Sequence, residues 1–125
     1  MVISQQSPLK QQFVPVASVS EVQTAGVMVV HAAGHAIALF HHNDKIYALD
    51  NRCPHMGCPL HKGSVKDCIV TCHWHHARFD LTSGGTFDIC ADDCRAFPVE
   101  LQDGTVWIDP SGSNHTQDYQ RQRLL

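Results

Sequence analysis

The chain has 125 residues, 43% of them hydrophobic and 17% charged, with a formal net charge of −3. That length predicts one domain with a modest core, and the composition excludes a disordered or fibrous chain. So mild a charge leaves no footprint for nucleic acid or an anionic membrane, and no apolar run approaches the ~20 residues of a membrane span.

The opening Met1-Val2-Ile3-Ser4-Gln5-Gln6 lacks the basic segment and apolar core of an export signal, so a soluble, cytoplasmic protein is expected. Residues 1–12 are polar and Gln-rich and read as a loose lead-in. Phe13-Val14-Pro15-Val16-Ala17 reads as a short strand that its proline confines to an edge or a start. Ser18-Val19-Ser20-Glu21 has the form of a capping box and predicts a brief helical turn.

From Gly26 onward the pattern is extended. Val27–His31 is one predicted strand, Ala32-Ala33-Gly34 a turn, and His35–His41 the next strand, with Ile37 and Leu39 on one face. Asn43-Asp44 turns the chain into Lys45–Leu49. Further on, Ser83-Gly84-Gly85 is a turn, and Thr86–Ile89 resumes the extended chain. Phe97–Leu101 and Thr105–Ile108 alternate with period two across Gln102-Asp103-Gly104, a closing hairpin. Beyond Pro110 the chain is polar and reads as a tail. Short strands separated by turn residues imply an antiparallel sandwich or barrel.

Six cysteines and ten histidines remain to be explained. A C-x-H pair, Cys53 and His55, stands against a C-x-x-H pair, Cys72 and His75, with sixteen residues between them. Two thiolates and two imidazoles from two loops suit zinc as readily as iron by number alone. The layout within the pairs favours iron, because one iron of a 2Fe–2S cluster can take both sulfurs and the other both imidazoles. Cys58, Cys68, Cys90 and Cys94 are expected to be free thiols in the absence of an export signal. His31, His35, His41 and His42 are expected at solvent-facing positions.

Ala48-Leu49-Asp50-Asn51-Arg52-Cys53-Pro54-His55, Cys58-Pro59-Leu60, Gly63, Cys72-His73-Trp74-His75 and Phe79-Asp80-Leu81-Thr82-Ser83-Gly84 together resemble the Rieske ferredoxin family, over about Phe13 to Ile108. The resemblance implies an all-β, Rieske-type antiparallel β-sandwich over 13–109, with a small cluster-binding subdomain of two loops at about 50–90 and a polar tail at 110–125. It implies one Rieske-type 2Fe–2S cluster per chain. Cys53 and Cys72 would bind the inner iron, and His55 and His75 the outer one through Nδ1. His73 and His76 flank the second ligand, but the family's C-x-x-H register selects His75. Family members commonly carry Pro and Gly at those two positions, so the chain departs from the pattern there. Gly57 and Gly63 suit tight turns near the cluster, and Pro54 and Pro59 stiffen the first loop.

High-potential members tie their two loops with a disulfide and place a Ser and a Tyr hydroxyl beside the cluster. Here Cys58 faces Trp74 at the partner position, which leaves Cys58 as a packing residue, and the hydroxyl positions are Ala77 and Phe79. Without those donors the expected midpoint lies at about −150 to 0 mV, the low end of the Rieske span. The implied function is a one-electron carrier, and not itself an enzyme, between a flavin-containing reductase and a terminal oxidoreductase such as a Rieske oxygenase. Contacts would be transient, through an apolar collar of Met56, Pro59, Leu60 and Trp74, and the chain is expected to be monomeric. His61 reads as surface polarity, with a docking contact as the alternative. The competing readings are the small subunit of an assimilatory nitrite reductase, a Cys2His2 zinc module, and a redox sensor using Cys90 and Cys94. The chain shows neither a nucleotide-binding glycine fingerprint nor room for a mononuclear iron domain.

Overall fold

Ten strands and one α-helix fill the described residues of a computed structural model of the chain, which are 12–52, 59–73, 77–87 and 93–113. The chain opens with β1 (Val14–Ser18) and α1 (Val19–Ala25), followed by the meander β2 (Val27–Ala32), β3 (His35–His42) and β4 (Lys45–Asp50). A 3-10 turn at Leu60–Lys62 leads into β5 (Ser64–Lys66), β6 (Ile69–Thr71) and β7 (Arg78–Asp80). Then come β8 (Ala96–Phe97), β9 (Val99–Gln102) and β10 (Thr105–Ile108). They form three antiparallel sheets, with orders β1-β10-β9, β2-β3-β4-β8 and β5-β6-β7.

The helix starts where its cap chemistry is strongest. Ser18 Oγ accepts the Glu21 N–H at 3.1 Å, and Glu21 Oε1 accepts the Ser18 N–H at 3.0 Å, so two otherwise orphaned donors are satisfied reciprocally. Gly26 ends it at φ 80°, its N–H bonded to the Val22 carbonyl at 2.8 Å. The tight hairpin turns hold both central residues at positive φ, at Ala33-Gly34, Asn43-Asp44 and Asp103-Gly104, and all but Ala33 are residue types that adopt it readily. A fourth, Asp67-Cys68, joins β5 to β6 with φ 54° and 63°.

The four-stranded sheet is the middle layer, and β3 shows why. Ile37, Ala38, Leu39 and Phe40 are all buried, without the polar alternation of a one-sided strand. Ile37 and Leu39 face a core with Val22, Phe97, Val106 and Ile108, under the outer sheet β1-β10-β9. Ala38 and Phe40 face the opposite core, with Leu60, Val70, Phe79 and Leu81, against the small sheet β5-β6-β7. Each fully buried Leu or Phe contributes about 1.5–3 kcal/mol, so both cores are needed to hold three layers.

The expected single strand Phe97–Leu101 is two strands in two sheets. Ala96 and Phe97 pair with β4, whereas Val99–Gln102 pair with β10. Pro98 stands at the crossing, where the missing N–H costs no ladder bond. Past the last strand the chain stays anchored. Arg95 donates to the carbonyls of Pro110 at 3.0 Å and Gly112 at 2.9 Å while its guanidinium lies 4.6 Å from the Phe97 ring centroid. Buried Asp109 accepts the Ser111 N–H at 3.0 Å and the Ser111 hydroxyl at 2.7 Å. Burial pushes the Asp109 carboxyl up, but the hydrogen bonds from Ser111 and its neighbours outweigh it and hold the pKa below the ordinary 3.8. Among the described residues no helix is long and apolar enough to cross a membrane.

Candidate metal centre

Both predicted ligand segments rise from closed bases. The first leaves β4, where Asp50 N–H bonds the Arg95 carbonyl and Asn51 N–H the Ala36 carbonyl, each at 2.9 Å. Arg52 and Pro59 then form an antiparallel bridge, and Leu60 N–H returns to the Asn51 carbonyl at 2.9 Å. Residues 53–58 lie between those anchors. The second segment is a hairpin tip. Thr71 pairs with Arg78, and Cys72 N–H bonds the Ala77 carbonyl at 2.7 Å.

The two bases meet at one end of the small sheet. Ser64, which follows the first base, pairs with Thr71, which precedes the second. Gly63 carries the close contact between them: a Cβ there would collide with the Thr71 carbonyl oxygen. Its φ of −78° is ordinary, so proximity rather than conformation demands glycine. Gly84 has both constraints, a φ of 76° and a hydrogen atom where a Cβ would meet the Cys94 carbonyl. That close contact seats the Asp80–Gly85 turn against the 93–95 segment. Asp80 Oδ1 accepts the N–H groups of Thr82 (2.8 Å) and Ser83 (3.1 Å), which shapes that turn.

Of the four predicted ligands, Cys72 is described; Cys53, His55 and His75 lie outside the described residues, as do Cys58, Met56, Gly57, Trp74, His76 and Cys90. Cys72 is fully buried among Leu60, Val70, Ala77 and Phe79. Its sulfur is in a disulfide, whereas Cys68 and Cys94 are thiols. A cysteine sulfur in a dry, apolar pocket fits the thiolate side of an iron–sulfur site, and loading requires its disulfide reduced to the thiolate. Among the described residues no three His, Cys, Asp or Glu side chains converge on a metal. Ala77 and Phe79, 6% and 0% exposed, bring no hydroxyl to Cys72.

Several expectations change. Leu60 belongs to no exposed collar: it is fully buried in the core beneath the loops, while Pro59 is half-buried. Only His31 of the four strand histidines is solvent-facing. His35 packs on Phe97 with centroids 5.7 Å apart, and the buried His41 Nε2 has no hydrogen-bond partner among the described residues. His42 Nε2 accepts the Cys68 N–H at 3.1 Å, which fastens β3 to the strained Asp67-Cys68 turn. His61 is held against Asn51. His73, Arg52, Lys62 and Arg78 are exposed around the two bases. Cys94, 3% exposed, donates to the Asp50 carbonyl at 3.4 Å, a structural thiol supporting the first base, and its burial removes the accessibility that a redox sensor needs. The sequence assigned no role to Asn51 or Arg95; Asn51 stands in the motif two residues before Cys53, but nothing in a single sequence distinguishes it there from a turn residue.

The profile of the Rieske [2Fe-2S] domain matches residues 12–105. The chain is 33% identical over 79 residues to the ferredoxin component of the p-cumate 2,3-dioxygenase system of Pseudomonas putida, covering 62% of this chain and 67% of that one. It is 35% identical over 77 residues to the 3-phenylpropionate/cinnamic acid dioxygenase ferredoxin subunit of Photorhabdus laumondii, covering 60% and 73%. Among solved structures, the ferredoxin of carbazole 1,9a-dioxygenase from Nocardioides aromaticivorans IC177 superposes with a TM-score of 0.73 at 22% identity, over 79% of this chain and 98% of that one. A complex of reduced oxygenase and oxidized ferredoxin in carbazole 1,9a-dioxygenase gives 0.70 at 22% identity, over 80% and 94%. At such identities the likeness is one of fold.

Proposed function

Because this chain belongs to the Rieske [2Fe-2S] domain family, we propose that it is a low-potential electron carrier whose cluster is held by Cys53, His55, Cys72 and His75. When bound, the cluster accepts and releases one electron at a potential set by its surroundings. The carrying observation is that the 53–58 and 74–76 segments spring from hydrogen-bonded bases at the same end of one small sheet, with Cys72 buried at the foot of the second. Cys53 and Cys72 serve as thiolates on the inner iron. His55 and His75 serve as neutral imidazoles on the outer one.

The chain's remaining work is electrostatic. Phe79 and Ala77 surround Cys72 with apolar groups and offer no hydroxyl to the charge gained on reduction, which keeps the midpoint at about −150 to 0 mV. The relatives are ferredoxin components of dioxygenase systems. That likeness supports a role as electron donor to a terminal oxygenase; our reading adds a flavin-containing reductase as the source, transient encounters, and a cytoplasmic monomer. It converts no substrate. The domain spans 13–109, with the cluster-binding part at about 50–90, residues 1–12 as lead-in and 110–125 as tail.

EPR of the dithionite-reduced protein with a redox titration tests this reading. A mixed-ligand Rieske signal is expected, and it should vanish in Cys53→Ser and His75→Ala. A spectrum untouched by His55→Ala or His75→Ala would refute the ligand set. A midpoint above about +150 mV would refute the argument from the missing hydroxyls.

A further inference from the structure

Asn51 follows β4 at the entry of the first loop, and its backbone and side chain both bond to the exit at Leu60 and His61. Its carbonyl accepts the Leu60 N–H at 2.9 Å, its Oδ1 accepts the His61 N–H at 2.8 Å, and its Nδ2 stands 3.0 Å from His61 Nδ1. The atom assignment follows from donor counting. A backbone N–H only donates, so the amide oxygen must face it; a flipped amide would oppose two donors. His61 Nδ1 lies 3.0 Å from Asn51 Nδ2 and 3.2 Å from Asn51 Oδ1, so the ring meets the amide in either neutral tautomer, accepting from Nδ2 or donating to Oδ1. The pair is part-buried, where water competes poorly for these bonds. The antiparallel bridge of Arg52 with Pro59, closed by the Leu60 N–H on the Asn51 carbonyl, fixes how far apart the loop ends stand. The Asn51 amide fixes how the exit turn is rotated against the entry strand, because it engages both the backbone and the ring of His61.

We propose that Asn51, acting through His61, is a positioning residue for the first ligand loop: it sets the orientation in which that loop presents its iron ligands. This rests on the reading that the loop carries Cys53 and His55. Groups that orient metal ligands from outside the coordination sphere typically change metal affinity by ~10–100-fold when removed.

The test compares holoprotein variants by the first-order rate of cluster loss under excess chelator, followed by visible circular dichroism, together with the EPR line shape and the thermal midpoint. Asn51→Ala is expected to lose cluster about tenfold faster than the parent, with a broadened EPR signal. Asn51→Asp keeps the acceptor for the His61 N–H and should recover most of that loss. The double variant with His61→Ala should be no worse than Asn51→Ala alone, since the two act as one unit. Leu39→Ala, in the far core, controls for general destabilisation: it should lower the thermal midpoint at least as much without a comparable rise in cluster loss. Failure of Asn51→Ala to take up cluster while Leu39→Ala loads normally supports the proposal. Loss within twofold of the parent, or equal acceleration by Leu39→Ala, overturns it. A parent protein with no Rieske signal overturns the ligand reading as well.

Discussion

Phe79 and Cys72 lie in one core and neither is exposed to solvent. Phe79→Tyr would add a hydroxyl there. A donor bond strengthened by about 1 kcal/mol on reduction raises a one-electron midpoint by roughly 40 mV. We therefore expect an upward shift of that order in a redox titration; an unchanged or lower midpoint would mean the ring edge is not aimed at the cluster. Single residues were legible in the sequence where their chemistry is local. Ser18 and Glu21 satisfy one another within a turn of helix, and the Asn43-Asp44 pair states its own backbone conformation. Leu60 and His61 were misread because their roles depend on partners nine or more residues away: Leu60 on the core of the small sheet, His61 on Asn51.

At the level of elements, the middle sheet separates two packing problems. Leu39→Ala empties the core under the outer sheet and should cost about 2–5 kcal/mol in chemical denaturation, while the folded holoprotein keeps its EPR spectrum. Leu60→Ala opens a void of similar size beneath the first loop. It should cost a comparable amount and also shed cluster faster, so equal cluster lifetimes in the two variants would contradict the separation. The β2–β4 meander was legible because its strands are long enough to show a pattern and its turns carry Asn, Asp and Gly. The β5-β6-β7 sheet was not: each strand has three residues, too few for any period, and an Asp-Cys turn is no standard signal. The division at Pro98 was also hidden, because alternation continues unbroken through a residue at which the chain changes sheets.

Across the whole molecule, β1 pairs with β10, so the described chain begins and ends on the outer sheet, on the other side of the middle layer from the small sheet that carries the ligand loops. Asp109 secures that closure through Ser111. Its pKa is depressed by folding, so its contribution is complete above the unfolded value near 3.8 and is lost as pH falls through the lower folded value. Thermal midpoints measured from pH 6 down to about pH 3 should fall less steeply in Asp109→Asn than in the parent; parallel curves would assign the acid lability elsewhere. The contact of Gly63 with the Thr71 carbonyl has a kinetic corollary. With both feet fused into a single footing, the two bases shift together, and a small nuclear rearrangement on a change of charge is the expected result. Such a mount favours rapid self-exchange between oxidised and reduced copies, and a bulkier residue at position 63 should slow that exchange.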